Sequence, residues 1–406
     1  MKNSFTRFID KSLENLRAGD LRRYRKMFTG PTSPEMIMNN NLMLMFCSND
    51  YLGLANHPRI KDALVTGIEK FGCGSGASHL ISGHNQLHQN FENDIEDKFN
   101  KFFGACRALL FSSGYMANLA VVTSITMRNK SGIDKSVSIF SEELNHASLI
   151  DGIRLARQQN KAKVSIFPHN DLELLEEQMK KDTSDRRVIV TDGVFSMDGT
   201  IATLGDLIFL AEKYDALLLV DDAHGFGVLG EQGLGIMDYF NLRPEKFSSE
   251  RFIYVGTLGK AAGLSGAFVV ASPNVVDWII QFGRTYIYTT ASPPFLAMGL
   301  RESLMLILEG QLRETLMDNI RYFKENMASS PIKLMPSNTA IQPIIFGENA
   351  KALMAQESLL KSGISVPAIR PPTVPQGTSR LRVTLSAAHS VNQIDDLMEK
   401  LIEIGK

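Results

Sequence analysis

The chain of 406 residues carries 43 basic against 44 acidic side chains, a net charge of −1, and 44% apolar residues. That length fits roughly two to three domains of about 150 residues, or one large domain with an appendage, and is ample for a buried core. The balanced charge offers no field to draw nucleic acid or an anionic membrane, and no apolar run nears the roughly 20 residues of a membrane span, so neither partner is expected.

The first 28 residues are basic and amphipathic, with Phe5, Phe8, Ile9, Leu13 and Leu16 near helical spacing, and residues 1–48 are expected as an N-terminal helical segment. Asp10, Glu14 and Asp20 argue against a transit peptide, which is poor in acids, and no apolar signal core is present, so the expectation is a cytoplasmic enzyme. Cys47, Cys73 and Cys106 form no CxxC pair, and their odd count excludes a fully paired disulfide framework and fits a reducing compartment. His84 and His88 have i,i+4 spacing, but Asn85 replaces the glutamate of HExxH; they read as an ordinary helix start, and no metal is expected.

From about residue 105 to 290 short apolar runs alternate with helical periodicity. Ala108–Phe111, Val137–Phe140, Val188–Val190, Ala216–Val220, Phe252–Val255 and Ala267–Ala271 read as buried strands, and Leu172–Lys181 and Leu204–Tyr214 as helices. That alternation predicts an α/β fold with a mixed, mostly parallel sheet covered on both faces, as a large domain over 49–292. After Pro293-Pro294 the pattern changes to a long helical region reaching about Met327. Strands Ile341–Ile345 and Leu381–Leu385 follow, then a final helix Val391–Ile404, giving a smaller C-terminal α+β domain over 293–406.

Ligands of such sheets bind beyond the carboxyl ends of the strands. Three successive strands end there in polar residues with glycines: Asp192 running into Gly193-Val-Phe-Ser196, Asp221-Asp222-Ala-His224-Gly225, and Gly256-Thr257-Leu-Gly259-Lys260. Each signal is weak alone; the order of acid, histidine three residues on, and lysine at the next strand's tip is not. A nucleotide-binding P-loop is excluded, because Tyr254 occupies its first glycine position and Ala261 follows the lysine. A buried lysine among small residues instead suits a Schiff base with an aldehyde cofactor, since desolvation makes the amine nucleophilic. Pyridoxal phosphate needs that lysine, an acid against its pyridinium nitrogen and a phosphate cradle. Asp221 is the natural acid, and His224 and Ser196 can bond the phenolic oxygen. The loop Ser112-Ser113-Gly114-Tyr115-Met-Ala-Asn118, opening a helix after a strand, can cradle the phosphate, with the Thr257 hydroxyl added.

With these residues in view the sequence resembles the α-oxoamine synthase family of pyridoxal-phosphate enzymes. The resemblance is carried by Ser48-Asn-Asp-Tyr-Leu-Gly-Leu54, Gly74-Ser-Gly76, Ser113-Gly-Tyr-Met-Ala-Asn118 and Asn145-His146-Ala-Ser148. It continues through Gly193-Val-Phe-Ser-Met-Asp-Gly199, Val220-Asp-Asp-Ala-His-Gly-Phe-Gly-Val-Leu-Gly230 and Gly256-Thr-Leu-Gly-Lys260. Ala368-Ile-Arg-Pro-Pro-Thr-Val-Pro375 and Arg380-Leu-Arg-Val-Thr-Leu-Ser-Ala-Ala-His389 look like the oxononanoate-forming branch of that family. One segment departs: Ser78-His79-Leu80 stands where many relatives carry arginine.

The resemblance implies the aspartate-aminotransferase-like fold (type I of the pyridoxal-phosphate transferases). It implies Lys260 as the Schiff-base lysine, Asp221 as the pyridinium partner, His224 and Ser196 on the phenolic oxygen, and His146 stacked on the ring. Gly114 and Tyr115 would offer backbone N–H groups, and Thr257 would hold the phosphate. Asn49 and an arginine of Arg380-Leu-Arg382 would take the substrate carboxylate; both arginines lie on one strand face, and spacing from Thr373 favours Arg382. Arg22, or its neighbour Arg23, and Thr373 would contact the acyl substrate. The implied reaction condenses L-alanine with pimeloyl-CoA or a pimeloyl carrier protein, with loss of carbon dioxide, in biotin biosynthesis, by a homodimer in which the segment Tyr288-Thr-Thr-Ala-Ser-Pro-Pro294 would supply a hydroxyl to the neighbouring subunit's phosphate. The rivals are a relative using glycine or another acyl-CoA, an aminotransferase, and a catalytically silent protein of the same fold.

Overall fold

The computed structural model describes residues 3–127 and 136–405. Contacts divide the chain into two compact units: Leu52–Ser196 with Thr200–Glu314, and Met1–Tyr51 with Met197–Gly199 and Thr315–Lys406.

The larger unit is built on a seven-stranded sheet. Its spatial order is Arg107–Phe111, Ala267–Ala271, Phe252–Thr257, Ala216–Asp221, Arg186–Asp192, Val137–Glu142 and Lys163–Phe167. The Ala267 strand runs antiparallel to both neighbours and the remaining pairs are parallel, so the sheet is mixed and mostly parallel. Its strands are near-continuous apolar runs because both faces are covered; Val188, Val190, Leu219, Ile253, Val255 and Val269 share one core cluster with helix residues Ala117, Val121, Leu149 and Ile153. Every strand expected in this unit is present, and four of them run on by one or two residues at the carboxyl end, to Glu142, Asp192, Asp221 and Thr257. Helix Pro58–Phe71 packs on Pro294–Glu309 closely enough that a Cβ on Gly67 would sit 2.9 Å from that of Phe295. The proline pair at 293–294 thus opens a helix that belongs to the larger unit, and the division of contacts falls at Glu314.

The smaller unit holds two sheets. One orders Phe28–Thr29, Glu35–Met38, Asn41–Met45 and Ile364–Ser365; the other orders Ile341–Gly347, Ser379–Thr384 and Ala368–Ile369. Helices Ser4–Ala18, Asn349–Lys361 and Val391–Gly405 accompany them. Among the described residues up to 48, the helix expected over 1–48 is confined to Ser4–Ala18, and Glu35–Met38 and Asn41–Met45 form a hairpin instead. Its two-residue turn, Asn39-Asn40, has φ of 51° and 63°, the left-handed geometry that matches strand twist and that asparagine tolerates. The expected long helix to Met327 is likewise two, Pro294–Glu309 and Gln311–Met327, parted by Gly310 at φ 84°. No helix among the described residues is long and apolar enough to cross a membrane.

Candidate active site

Parallel pairing sets Asp192 beside Asp221, and Asp221 beside Val255, at the carboxyl end of the large sheet. The Phe252–Thr257 strand then delivers Lys260 three residues beyond its end, and the Ala216–Asp221 strand delivers His224. There the Lys260 Nζ lies 2.8 Å from His224 Nε2. Asp221 is buried; its Oδ1 accepts the Ala223 N–H at 3.1 Å and its Oδ2 accepts the Asn118 amide at 2.5 Å.

Asn118 in turn donates to Ser148 Oγ at 2.8 Å, and that hydroxyl lies 2.7 Å from His146 Nδ1. A chain of short bonds therefore runs from the buried acid to the half-open imidazole. Burial holds His146 below the usual imidazole range, with Lys260 acting the same way and Asp221 opposing. The turn carrying His146 is latched to the neighbouring strand: its N–H meets Asp192 Oδ1 at 3.2 Å, and Asn145 accepts the Asp192 N–H at 2.9 Å. Burial and the Asp221 carboxylate raise Asp192 well above the ordinary carboxylate range, opposed by the His146 N–H and by Lys260.

The cradle loop behaves as a helix start. Ser113 caps helix Gly114–Ile125 by accepting the Met116 N–H at 3.3 Å, which leaves the Gly114 and Tyr115 N–H groups at its open first turn. A Cβ at position 114 would strike Thr257 Cγ2 at 2.6 Å, so glycine lets this backbone lie against Thr257. The Thr257 hydroxyl is 3.3 Å from the Ala223 carbonyl. The Tyr115 ring is exposed and its hydroxyl bonds Asp151, which leaves its backbone N–H as the group it offers to the turn. Ser196 follows the Asp192 strand, in a turn closed by the Phe195 N–H on the Thr200 carbonyl at 2.9 Å.

The other expected residues belong to the smaller unit. Arg382 donates to Asn49 Oδ1 at 3.2 Å and to Thr384 Oγ1 at 3.0 Å. Arg380, two residues earlier on the same strand, is held by Asp198 at 2.6 Å and by the Met197 carbonyl. Arg370 bonds the Asp20 carbonyl and accepts the Thr373 N–H on its own carbonyl at 3.0 Å, which ties the segments of Arg22 and Thr373 together. Arg22 lies over the Tyr24 ring at 5.3 Å.

Sequence reasoning missed the roles of Asn118, Ser148 and Asp192 as supports of Asp221 and His146. Asn118 and Ser148 lay inside segments already singled out, and their helical positions facing the sheet were the available signal. The residues fit pyridoxal phosphate. They offer an amine, a buried carboxylate for the ring nitrogen and open N–H groups with a hydroxyl for the phosphate. The Asn118 Oδ1, buried without a partner, faces no competing protein donor.

The class I and II aminotransferase family matches residues 42–401. The chain is 47% identical to 8-amino-7-oxononanoate synthase of Janthinobacterium sp. (strain Marseille), over 98% of this chain and 97% of that protein. It is 48% identical to the enzyme of that name from Nitrosospira multiformis, over 95% and 93%. Among solved structures, Sphingomonas wittichii serine palmitoyltransferase superposes with a TM-score of 0.87 at 27% identity, covering 100% of this chain and 98% of that one. The 8-amino-7-oxononanoate synthase of Francisella tularensis does so with a TM-score of 0.73 at 32% identity, covering 89% and 97%.

Proposed function

The chain belongs to the class I and II aminotransferase family, and from that membership we propose that it condenses L-alanine with a pimeloyl thioester to give 8-amino-7-oxononanoate, carbon dioxide and a free thiol, a step of biotin biosynthesis. The thiol carrier is coenzyme A or a carrier protein, and the working enzyme is a homodimer. Relatives of that name at 47–48% identity over nearly the whole chain support this reading over the serine palmitoyltransferase likeness at 27%.

Pyridoxal phosphate, when bound, supplies an aldehyde that links to amines and a cationic ring that takes up the electron pair left when a proton or carbon dioxide departs. Asp221, fixed by Asn118 and the Ala223 N–H, presents an acceptor that keeps the ring nitrogen protonated. His146 covers the ring face, and its orientation is set by Ser148. The Gly114 and Tyr115 N–H groups and the Thr257 hydroxyl hold the phosphate, aided by the positive end of the helix. His224 and Ser196 bond the phenolic oxygen. Lys260 Nζ takes the α-proton of alanine and returns one to the product carbon, steered by His224 at 2.8 Å. Arg382 and Asn49, already in contact, take the alanine carboxylate, and Arg22 and Thr373 meet the acyl chain.

The observation that carries this reading is the Lys260–His224 contact at the tip of the strand next to the one that buries Asp221. The test offers alanine, glycine and serine with pimeloyl and palmitoyl thioesters, and reads products by mass spectrometry. Alanine with a pimeloyl donor should give 8-amino-7-oxononanoate, and Lys260→Ala should abolish it. Product from the Lys260→Ala variant, or none from any pimeloyl donor, ends the proposal.

A further inference from the structure

His84 and His88 begin helix Gln86–Phe103 as the sequence suggests, with Asn85 as its cap. The fold adds a third imidazole, His79, from the turn His79–Gly83. Among the described residues these three form the one group of histidine, cysteine and acidic side chains close enough together to hold a metal ion, with ligand atoms all within 4.8 Å of one another. We propose that His79, His84 and His88 bind a divalent zinc-like ion through their Nδ1 atoms.

The ring spacing suits such an ion. Nitrogens about 2.0–2.1 Å from a tetrahedral zinc put the ring centres about 5 Å apart. Here the centres are 5.1 Å apart for His79 and His88, 5.2 Å for His79 and His84, and 5.7 Å for His84 and His88. Two Nδ1 atoms already face each other, those of His79 and His84, at 2.9 Å. The outward nitrogens have the partners that orient metal-bound imidazoles. His84 Nε2 is 3.3 Å from Gln89 Oε1 and 3.8 Å from Glu92 Oε2, and His88 Nε2 is 2.9 Å from the Ser292 carbonyl. The His79 ring is fixed by stacking on Tyr286, at 5.1 Å and 12°.

Binding requires two adjustments. His79 moves its proton from Nδ1 to Nε2, with no net proton released, and His88 Nδ1 gives up the Asn85 N–H that it accepts at 3.0 Å. Water fills the fourth position. The ion would pin the His79–Gly83 turn to the helix start, beside Ala77, whose carbonyl accepts the Ala291 N–H at 3.0 Å.

The test uses tag-free holoenzyme, stripped with chelator and titrated with Co²⁺ alone, then with Zn²⁺ as competitor. The wild type should take up one equivalent with a tetrahedral visible spectrum that Zn²⁺ erases. His79→Asn and His84→Gln should each weaken Co²⁺ binding at least about tenfold. The His84 side chain is partly exposed, so His84→Gln should fold; its metal-free melting temperature checks that, and Zn²⁺ should raise the melting temperature of the wild type only. Absence of saturable binding, or equal binding by both variants, overturns the proposal; equal binding would assign the ion to other groups such as the exposed Cys73.

Discussion

Asp221 and Asp222 are neighbours in sequence with opposite surroundings. Asp221 faces Asn118, whereas Asp222 is packed where Gly193, Gly225 and Gly235 leave room; a Cβ on any of them would lie 2.6 Å or less from its carboxylate oxygens. It accepts the Ile236 N–H at 2.6 Å and the Tyr254 hydroxyl at 2.9 Å, yet burial pushes its acid up to about 7. In the unfolded chain that carboxyl loses its proton near pH 4. Between about pH 4 and 7 the folded state therefore holds the extra proton, and stability falls as pH rises through that window. Asp222→Asn should flatten the decline in melting temperature of cofactor-free protein between about pH 4 and 7; an unchanged slope would assign the decline elsewhere. Asn118→Ala acts on the other acid. Hydrogen bonds to a charged group contribute about 1.5–3 kcal/mol, so losing one should weaken cofactor affinity at least about tenfold in a titration of the cofactor-free protein. Unaltered affinity would mean that Asn118 does not position Asp221.

The Ser379–Thr384 strand places two arginines on one face with unlike partners. Arg380 and Asp198 are both largely buried, and removing one partner of such a pair leaves an uncompensated charge, at a cost of about 3–5 kcal/mol. Arg380→Ala should therefore lower the melting temperature strongly, while Arg382→Ala should act chiefly by raising the KM for alanine. A large KM effect from a well-folded Arg380→Ala variant would reverse the assignment. Strand alternation made the shared face legible in the sequence, but not the choice of partner, because Asp198 lies 182 residues away. The large sheet was legible for a local reason, since doubly covered strands are unbroken apolar runs. Residues 28–45 were not, because the amphipathic helix before them dominated the pattern, although Asn39-Asn40 between two methionine-rich runs is a hairpin signal. Gly310 similarly hides inside a continuous helical periodicity and breaks it only through its backbone conformation. In the site, Lys260, His224 and Asp221 stood out because strand tips collect polar residues. Ser148 and Asn118 act through contacts between elements, which a linear pattern does not carry.

For the whole molecule, helix Ser4–Ala18 bears on the proposed homodimer. It runs 15 residues without a buried one, and Phe5 and Phe8 are 71% and 68% exposed. Isolated helices of about this length are marginal in water, and most helical stability comes from packing an apolar face. A second copy of the chain would supply that cover through a symmetric, self-complementary contact, the commonest arrangement of soluble oligomers. Light scattering should then give twice the 45.0 kDa mass of the chain. The double substitution Phe5→Asp, Phe8→Asp places charges on the face to be buried, so it should raise the dimer dissociation constant while leaving the melting profile of the large unit in place. A wild-type mass of one chain would rule out the homodimer. A dimer unaffected by the double substitution would keep the assembly but move its contact away from this helix.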